Sequence, residues 1–154
     1  MMNIIEYDVK TISASLLKTL ATARQKFAKM SKEEWEKKPA DKWSKKEMLR
    51  HLIDSAANNY QRFVRAQFAN EEYVGPGYEQ DLFVSTQHYH SEEIENLMVL
   101  WFSFNVHLMH VIKNADSSKL NTTCKIGNYD PQTLGFVMHD YVEHMNHHLD
   151  EIYK

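Results

Sequence analysis

Cysteine, proline and glycine are all scarce in this chain of 154 residues, which has one, three and four of them respectively. A single cysteine, Cys124, cannot close an internal disulfide. That excludes the small cross-linked secreted scaffolds and fits a reducing compartment. So few glycines and prolines leave little punctuation, which disfavours a many-turned β fold and favours long helices. No run approaches the roughly 20 apolar residues that cross a bilayer, so no membrane partner is expected. Residues 1–10 carry acidic side chains and no apolar stretch, so no secretory leader is expected either. An excess of basic charge is also missing: 18 Lys and Arg stand against 21 Asp and Glu, a net charge of −3. Phosphate backbones call for a concentrated positive surface, and nucleic acid is therefore not an expected partner. The pairs Lys37-Lys38 and Lys45-Lys46 read as solvated helix and turn positions. The expected setting is the cytoplasm.

What the chain does have is 43% hydrophobic residues against 25% charged ones. At this length that makes one substantial core and not two comfortable ones, so residues 1–154 are read as a single domain. The apolar residues recur with helical spacing in four long segments. The first covers about residues 4–30, with Ile5, Ile12, Leu16, Leu20, Ala23 and Phe27 on one face. Ser31 and Glu34 form a capping box that opens a short turn around Trp35, and Ser44 and Glu47 form another. The second long helix starts there and runs to about residue 69, burying Met48, Leu52, Ala56, Phe63 and Ala66. Residues 70–90 read as a long irregular stretch around Gly75, Pro76 and Gly77, and loops of that length in compact domains are often functional. Ser91 is read as the cap of the third helix, whose stripe is Ile94, Leu97, Met98, Trp101, Phe104, Leu108 and Ile112. A polar connector over residues 114–129, with an extended piece at 122–126, leads to Asp130 and Pro131. An aspartate N-cap followed by proline at the first helical position is a strong start for the last helix. The expected fold class is all-α, a four-helix bundle.

Nine histidines is a high count, but His88, His90, His110 and His139 fall on outward faces or in the loop. His144 and His148 instead lie within the apolar stripe of the last helix, beside Leu134, Val137, Met138, Tyr141, Met145 and Ile152. Four residues apart, they differ by about 40° around the helix axis. Two imidazoles one turn apart and aimed inward can share one metal ion. His147 turns away from His148 by roughly 100°. The third candidate is His51, one turn after Glu47, at the border of the second helix's stripe. It sits near the start of its helix and the other two near the end of theirs, so an antiparallel pairing brings the levels together. Three neutral imidazoles without a fourth protein ligand describe a catalytic type of site with an open position. Cys124, in a connector, does not fit as a fourth. The same residues also read as three core histidines whose ring nitrogens are satisfied by carbonyls or carboxylates.

Around this set, Asp140 and Glu151 flank the pair and are either carboxylate partners for an imidazole N–H or solvated helix charges. Glu47 already has a capping role. Tyr141, one turn before the pair, reads as a core or pocket residue, with a catalytic role as the alternative. Asn59 and Asn105 point inward, which is costly without partners. They line a pocket, pair with each other or hold a water, and Ser55 belongs with them one turn beyond His51. The loop carrying Tyr73 and Tyr78 is either a substrate lid or a plain crossover.

Trp43, Ser44, Glu47, His51, Leu52, Asp54 and Ser55 follow the pattern WSxxExxxHLxDS, and Asp140, Tyr141, His144, His147, His148 and Leu149 follow in the last helix. Both stretches resemble the second-helix and last-helix motifs of the DinB/YfiT-like superfamily, and the likeness covers essentially the whole chain. It implies a four-helix bundle of up-down-down-up order, with a long crossover between helices 2 and 3. It further implies one zinc or nickel ion held through three histidines, which map onto His51, His144 and His148. The family's last motif often has glutamine after the final histidine pair, and here Asp150 and Glu151 stand in that region. The family name comes from damage-inducible expression and does not argue for DNA binding.

A site of that kind implies a metal-dependent enzyme acting on a small molecule. Characterised relatives suggest an S-transferase that uses a low-molecular-weight thiol; the alternative is a hydrolase with metal-activated water as nucleophile. A third possibility is a non-enzymatic helical interaction module with a structural or vestigial metal site. Trp101, Phe102 and Phe104 crowd a four-residue window and cannot all face one core, which would leave Phe102 for a homodimer contact.

Overall fold

The computed structural model describes residues 6–154, so the predicted helical positions Ile4 and Ile5 lie outside the described residues. Helix α1, Val9–Phe27, begins at Asp8, whose carboxylate accepts the Thr11 N–H at 2.9 Å. Its buried face is Val9, Ile12, Leu16, Leu20, Ala23 and Phe27. The short α2, Lys32–Glu36, has the predicted capping box and turns Trp35 onto Phe27, with ring centroids 4.8 Å apart. The second box starts α3, Lys45–Gln67. There Ser44 accepts the Glu47 N–H and the Glu47 carboxylate accepts the Ser44 N–H.

The stretch read as irregular holds strand β1, Glu72–Gly75, helix α4, Gln80–Thr86, and a 3₁₀ turn, Tyr89–Ser91. Ser91 does not cap the next helix, because its hydroxyl is spent within that turn as a donor to the His88 carbonyl at 2.8 Å. Helix α5, Ile94–Lys113, starts instead from Glu93 with no side-chain cap. Strands β2, Thr123–Ile126, and β3, Gln132–Thr133, precede α6, Leu134–Ile152. The last helix thus begins three residues beyond Pro131. Gln132 and Thr133 are taken up in an antiparallel ladder with Cys124 and Thr123, and pairing across the chain overrides the local Asp-Pro signal. Thr133 is the cap, accepting the Phe136 N–H at 3.2 Å.

The all-α expectation is therefore corrected by one small sheet of order β1-β2-β3, parallel between β1 and β2 from Glu72↔Thr123 to Gly75↔Ile126. It ties the two long connectors together at one end of the helices. The protein is nonetheless mostly helical, with four long helices, α1, α3, α5 and α6. Helices α1 and α3 each pack against both α5 and α6. Leu16, Leu49, Leu52, Trp101, Leu108, Leu134 and Met138 fill the centre with no more than 1% exposure, each contributing roughly 1.5–3 kcal/mol by leaving water. Met48 is only half-buried, and Leu49 takes its expected place. Phe102 and Phe104 also pack on the core, and Phe102 stands 4.9 Å from Trp101 and 5.9 Å from Phe27. Phe102 is half-buried in that packing, with part of its ring left at the surface. No helix among the described residues is long and apolar enough to cross a membrane.

Candidate metal centre

Each of the three inward histidines is placed by its helix. The Ser44 capping box fixes the first turn of α3, and one turn later the His51 ring is wholly buried. Helical phase alone puts it at the border of the stripe. The Trp43 ring just ahead of the helix, 5.1 Å from the imidazole, supplies the missing cover. His144 and His148 sit one turn apart on α6, half-buried and edge to face, with ring centroids 4.6 Å apart. The start of α3 meets the end of α6, as antiparallel packing requires. Nitrogens of the three rings all lie within 4.8 Å of one another.

All three rings turn Nε2 toward a common point. The His144 Nε2 is 3.4 Å from that of His51 and 3.1 Å from that of His148. A neutral imidazole nitrogen offers one in-plane direction, occupied by either a proton or a lone pair. One such nitrogen cannot serve two neighbours as hydrogen-bond partners, so N–H···N bonding accounts for only one of these two approaches. A tetrahedral ion with metal–nitrogen bonds of about 2.0–2.1 Å sets its ligands ~3.3–3.4 Å apart, close to the observed spacings. The donor set fits one divalent ion, and it leaves a coordination position open. Burial first, and the neighbouring imidazoles second, hold His51 down to about 3 and His148 to about 4. Burial likewise lowers His144, against the pull of Asp140. At neutral pH the rings are uncharged, the form that binds metal.

His144 opens onto a cavity of about 490 Å³. Of the residues expected near the site, Ser55, Asn59, Asp140 and Tyr141 line this cavity. The exposed Asp140 acts on His144 through its charge. Asn105 lies beneath the lining, where the Tyr141 hydroxyl donates to its Oδ1 at 2.6 Å and its own amide donates to the Trp101 carbonyl at 2.9 Å. The two asparagines do not pair with each other, because Asn59 donates to the Ser55 carbonyl at 2.9 Å. Glu47 stays apart from the cavity. Burial opposes its ionisation, but Lys38, the Ser44 N–H and the Tyr89 hydroxyl outweigh that and hold its carboxyl low. Glu151 pairs with Lys154 at 3.4 Å and reaches His148 only through its charge. His51 Nδ1 has no hydrogen-bond partner among the described residues.

Sequence reasoning does not group Arg62 and Cys124 with the lining, and it offers Tyr78 there only as part of a lid or a plain crossover. Arg62 is within reach of the sequence, since His51, Ser55, Asn59 and Arg62 succeed one another on one face of α3. Tyr78 and Cys124 arrive through the connectors, Tyr78 next to Gly77. Gly77 backbone atoms come within 3.2 Å of where a side chain on Gly127 would start, and Gly127 has φ +53°. A glycine is needed there on both counts.

A three-histidine cluster with one ring buried and two half-buried, at the mouth of a cavity in a helical bundle, defines a class of bundle proteins with a site that could hold a metal ion. The chain belongs to the DinB superfamily, which matches residues 15–152. Among solved structures it is similar to YfiT from Bacillus subtilis, described as a probable metal-dependent hydrolase with an unusual four-helix bundle topology. The TM-score is 0.84 at 17% sequence identity, and the match covers 99% of this chain and 87% of that one. At that identity the likeness carries the fold. No curated protein matches the chain.

Proposed function

We propose that the chain is a metal-dependent enzyme in which His51, His144 and His148 hold one divalent ion, zinc or nickel, and the adjoining cavity takes a small-molecule substrate. The observation that carries this is the convergence of three neutral Nε2 atoms that cannot all satisfy one another. A divalent ion so held supplies Lewis acidity, which makes a thiol or a water molecule nucleophilic near neutral pH. The chain's own residues fix and shelter the centre. The α3 and α6 backbones orient the rings, and Trp43 keeps water from His51. Ser55, Asn59 and the Tyr78 hydroxyl offer hydrogen bonds along the cavity wall.

The first reading of the chemistry is transfer of a low-molecular-weight thiol, supported by the resemblance of the two histidine motifs. Hydrolysis is the second reading. It is supported by the description of YfiT and by Asp140, a carboxylate beside His144 on the cavity wall that can accept a proton from water. A cytoplasmic setting goes with the thiol reading. The same proposal takes the bundle as one domain of up-down-down-up order with the long crossover between α3 and α5. In support, α1 and α6 touch at Thr19–Asn146 and Phe27–Tyr153, both running in one direction. Helices α3 and α5 meet at their starts through Lys46 and the His90 carbonyl, and at their ends through Gln67 and the Asp116 N–H.

Elemental analysis of protein purified without an affinity tag or added metal is the test. About one equivalent of zinc or nickel is expected, with His148→Ala at background and His147→Ala unchanged. Removal by chelator is expected to abolish thiol-transfer or hydrolase activity while the helical circular dichroism persists. Protein that is metal-free and takes up neither ion would leave three core histidines in a bundle, and the interaction-module reading would replace this one.

A further inference from the structure

Among the described residues, Lys45, Arg62 and Lys119 are half-buried cations without an ion pair, and of these Arg62 alone lines the cavity. Lys46 has the Glu36 carboxylate at 3.5 Å, and Arg50 has that of Asp54 at 3.2 Å. Arg62, half-buried on the cavity wall, has no ion pair among the described residues. Residues 1–5 contain no acidic side chain that could supply one. Among the described residues its only hydrogen bonds are long ones to neutral oxygens, Asn59 Oδ1 and the Pro76 carbonyl, both at 3.4 Å. The groups that surround it are the phenols of Tyr78, Tyr73 and Tyr129 and the thiol of Cys124. Burial pushes Tyr78 up to about 12 and Cys124 up to about 11, so neither carries charge at neutral pH. The two carboxylates that line the cavity, Asp130 and Asp140, are exposed and leave Arg62 unpaired. A guanidinium withdrawn from water without a counter-charge is costly unless something else supplies it.

Arg62 and His144 line the same cavity. On α3, the steps from His51 to Arg62 cover ~16 Å of helix axis at the usual rise per residue. We propose that Arg62 is the anion-recognition residue of this cavity, and that its ligand is an elongated small molecule with a carboxylate at the Arg62 end and its reacting centre at the histidine end. This rests on the reading of the cavity as the substrate site. A carboxylate fits better than a phosphate because the guanidinium stands alone. Among the described residues no other lysine or arginine lines the cavity, so a dianion would find one positive charge at the Arg62 end. The planar fork of arginine matches the two oxygens of a carboxylate. The phenols and Phe136 offer apolar surface for the body of the molecule.

The test uses full-length, zinc-loaded protein and three probes of matched size: 3-phenylpropionate, its amide 3-phenylpropionamide, and phenyl phosphate. Binding is followed by ¹H–¹⁵N chemical-shift titration. The wild type is expected to bind the carboxylate roughly tenfold to hundredfold tighter than the amide, the range of a charge-assisted hydrogen bond, and tighter than the phosphate. Arg62→Gln should remove the preference over the amide, and Arg62→Lys should keep part of it as a point charge. Metal content should stay the same in both variants. Equal affinity for acid and amide in the wild type, or a preference that survives in Arg62→Gln, would overturn the assignment, and a phosphate preference would overturn the carboxylate. Repeating the titration on chelator-treated protein separates the two readings. A preference that depends on Arg62 without metal stands even if the metal centre is wrong, and a full metal equivalent with no such preference leaves the centre standing alone.

Discussion

Tyr141 and Asn105 are a buried pair whose satisfaction is nearly complete. The phenol donates to the amide oxygen, and the amide donates to the carbonyl one turn back on α5. Asn105 is fully buried and Tyr141 only 3% exposed, so neither can exchange its partner for bulk water. Burial pushes the Tyr141 phenol far above its ordinary value, which makes it a hydrogen-bond donor and not a base. Tyr141→Phe should therefore cost about 1–3 kcal/mol by leaving the Asn105 oxygen unserved, with metal content unchanged. Urea denaturation read beside elemental analysis checks both parts, and a loss of metal in this variant would give Tyr141 a direct role at the centre. The histidines were legible at this scale because two imidazoles one turn apart in an apolar stripe need polar partners that the stripe itself does not offer. Arg62 was not, although it shares the His51 face of α3, because its meaning lies in an absent counter-charge. Only the folded surroundings show that absence.

At the scale of elements, the helices were legible and the sheet was not. Capping boxes are local, with donor and acceptor three residues apart, and both were read from the sequence. Strands β1 and β2 are four residues each and pair across about fifty residues of chain, so no periodicity announces them. That pairing is also why the start of α6 was misplaced. Asp130 and Pro131 look like a helix opening, but the ladder from Thr123 to Thr133 delays it to Leu134. Backbone bonds from the Leu134 N–H to the Thr122 carbonyl and from the Gly135 N–H to the Leu120 carbonyl, both 2.9 Å, hold the helix there. Thr133→Ala should then lower stability by about 0.5–2 kcal/mol as a lost N-cap, and Asp130→Ala should change it little. A larger effect at Asp130 in thermal or urea unfolding would restore the earlier helix start.

Across the whole molecule, the three-histidine cluster makes stability depend on pH. In the metal-free protein His51, His144 and His148 are held below the imidazole value of the unfolded chain, chiefly by burial. Above that value both states are neutral there and these groups contribute no slope. As pH falls below about 6.5 the unfolded chain takes up protons that the folded protein refuses, so folding weakens. The fall ends near the folded values, about 3 for His51 and about 4 for His148. Wholly buried His51 steepens it by at most about 1.4 kcal/mol per pH unit, and the half-exposed His148 by less because solvent screens it. Asp54 works the other way at the acid end, since burial raises its carboxyl, so the clean window is pH 7 to 5.5. The urea midpoint of chelator-treated protein should fall across that window, and zinc should raise it at pH 7 because an ion that binds only the folded state adds stability by mass action. Replacing all three histidines should flatten the slope and abolish the zinc effect together. If the slope survives the triple replacement, the protons are taken up elsewhere and the three rings are not the acid-sensitive point of the fold.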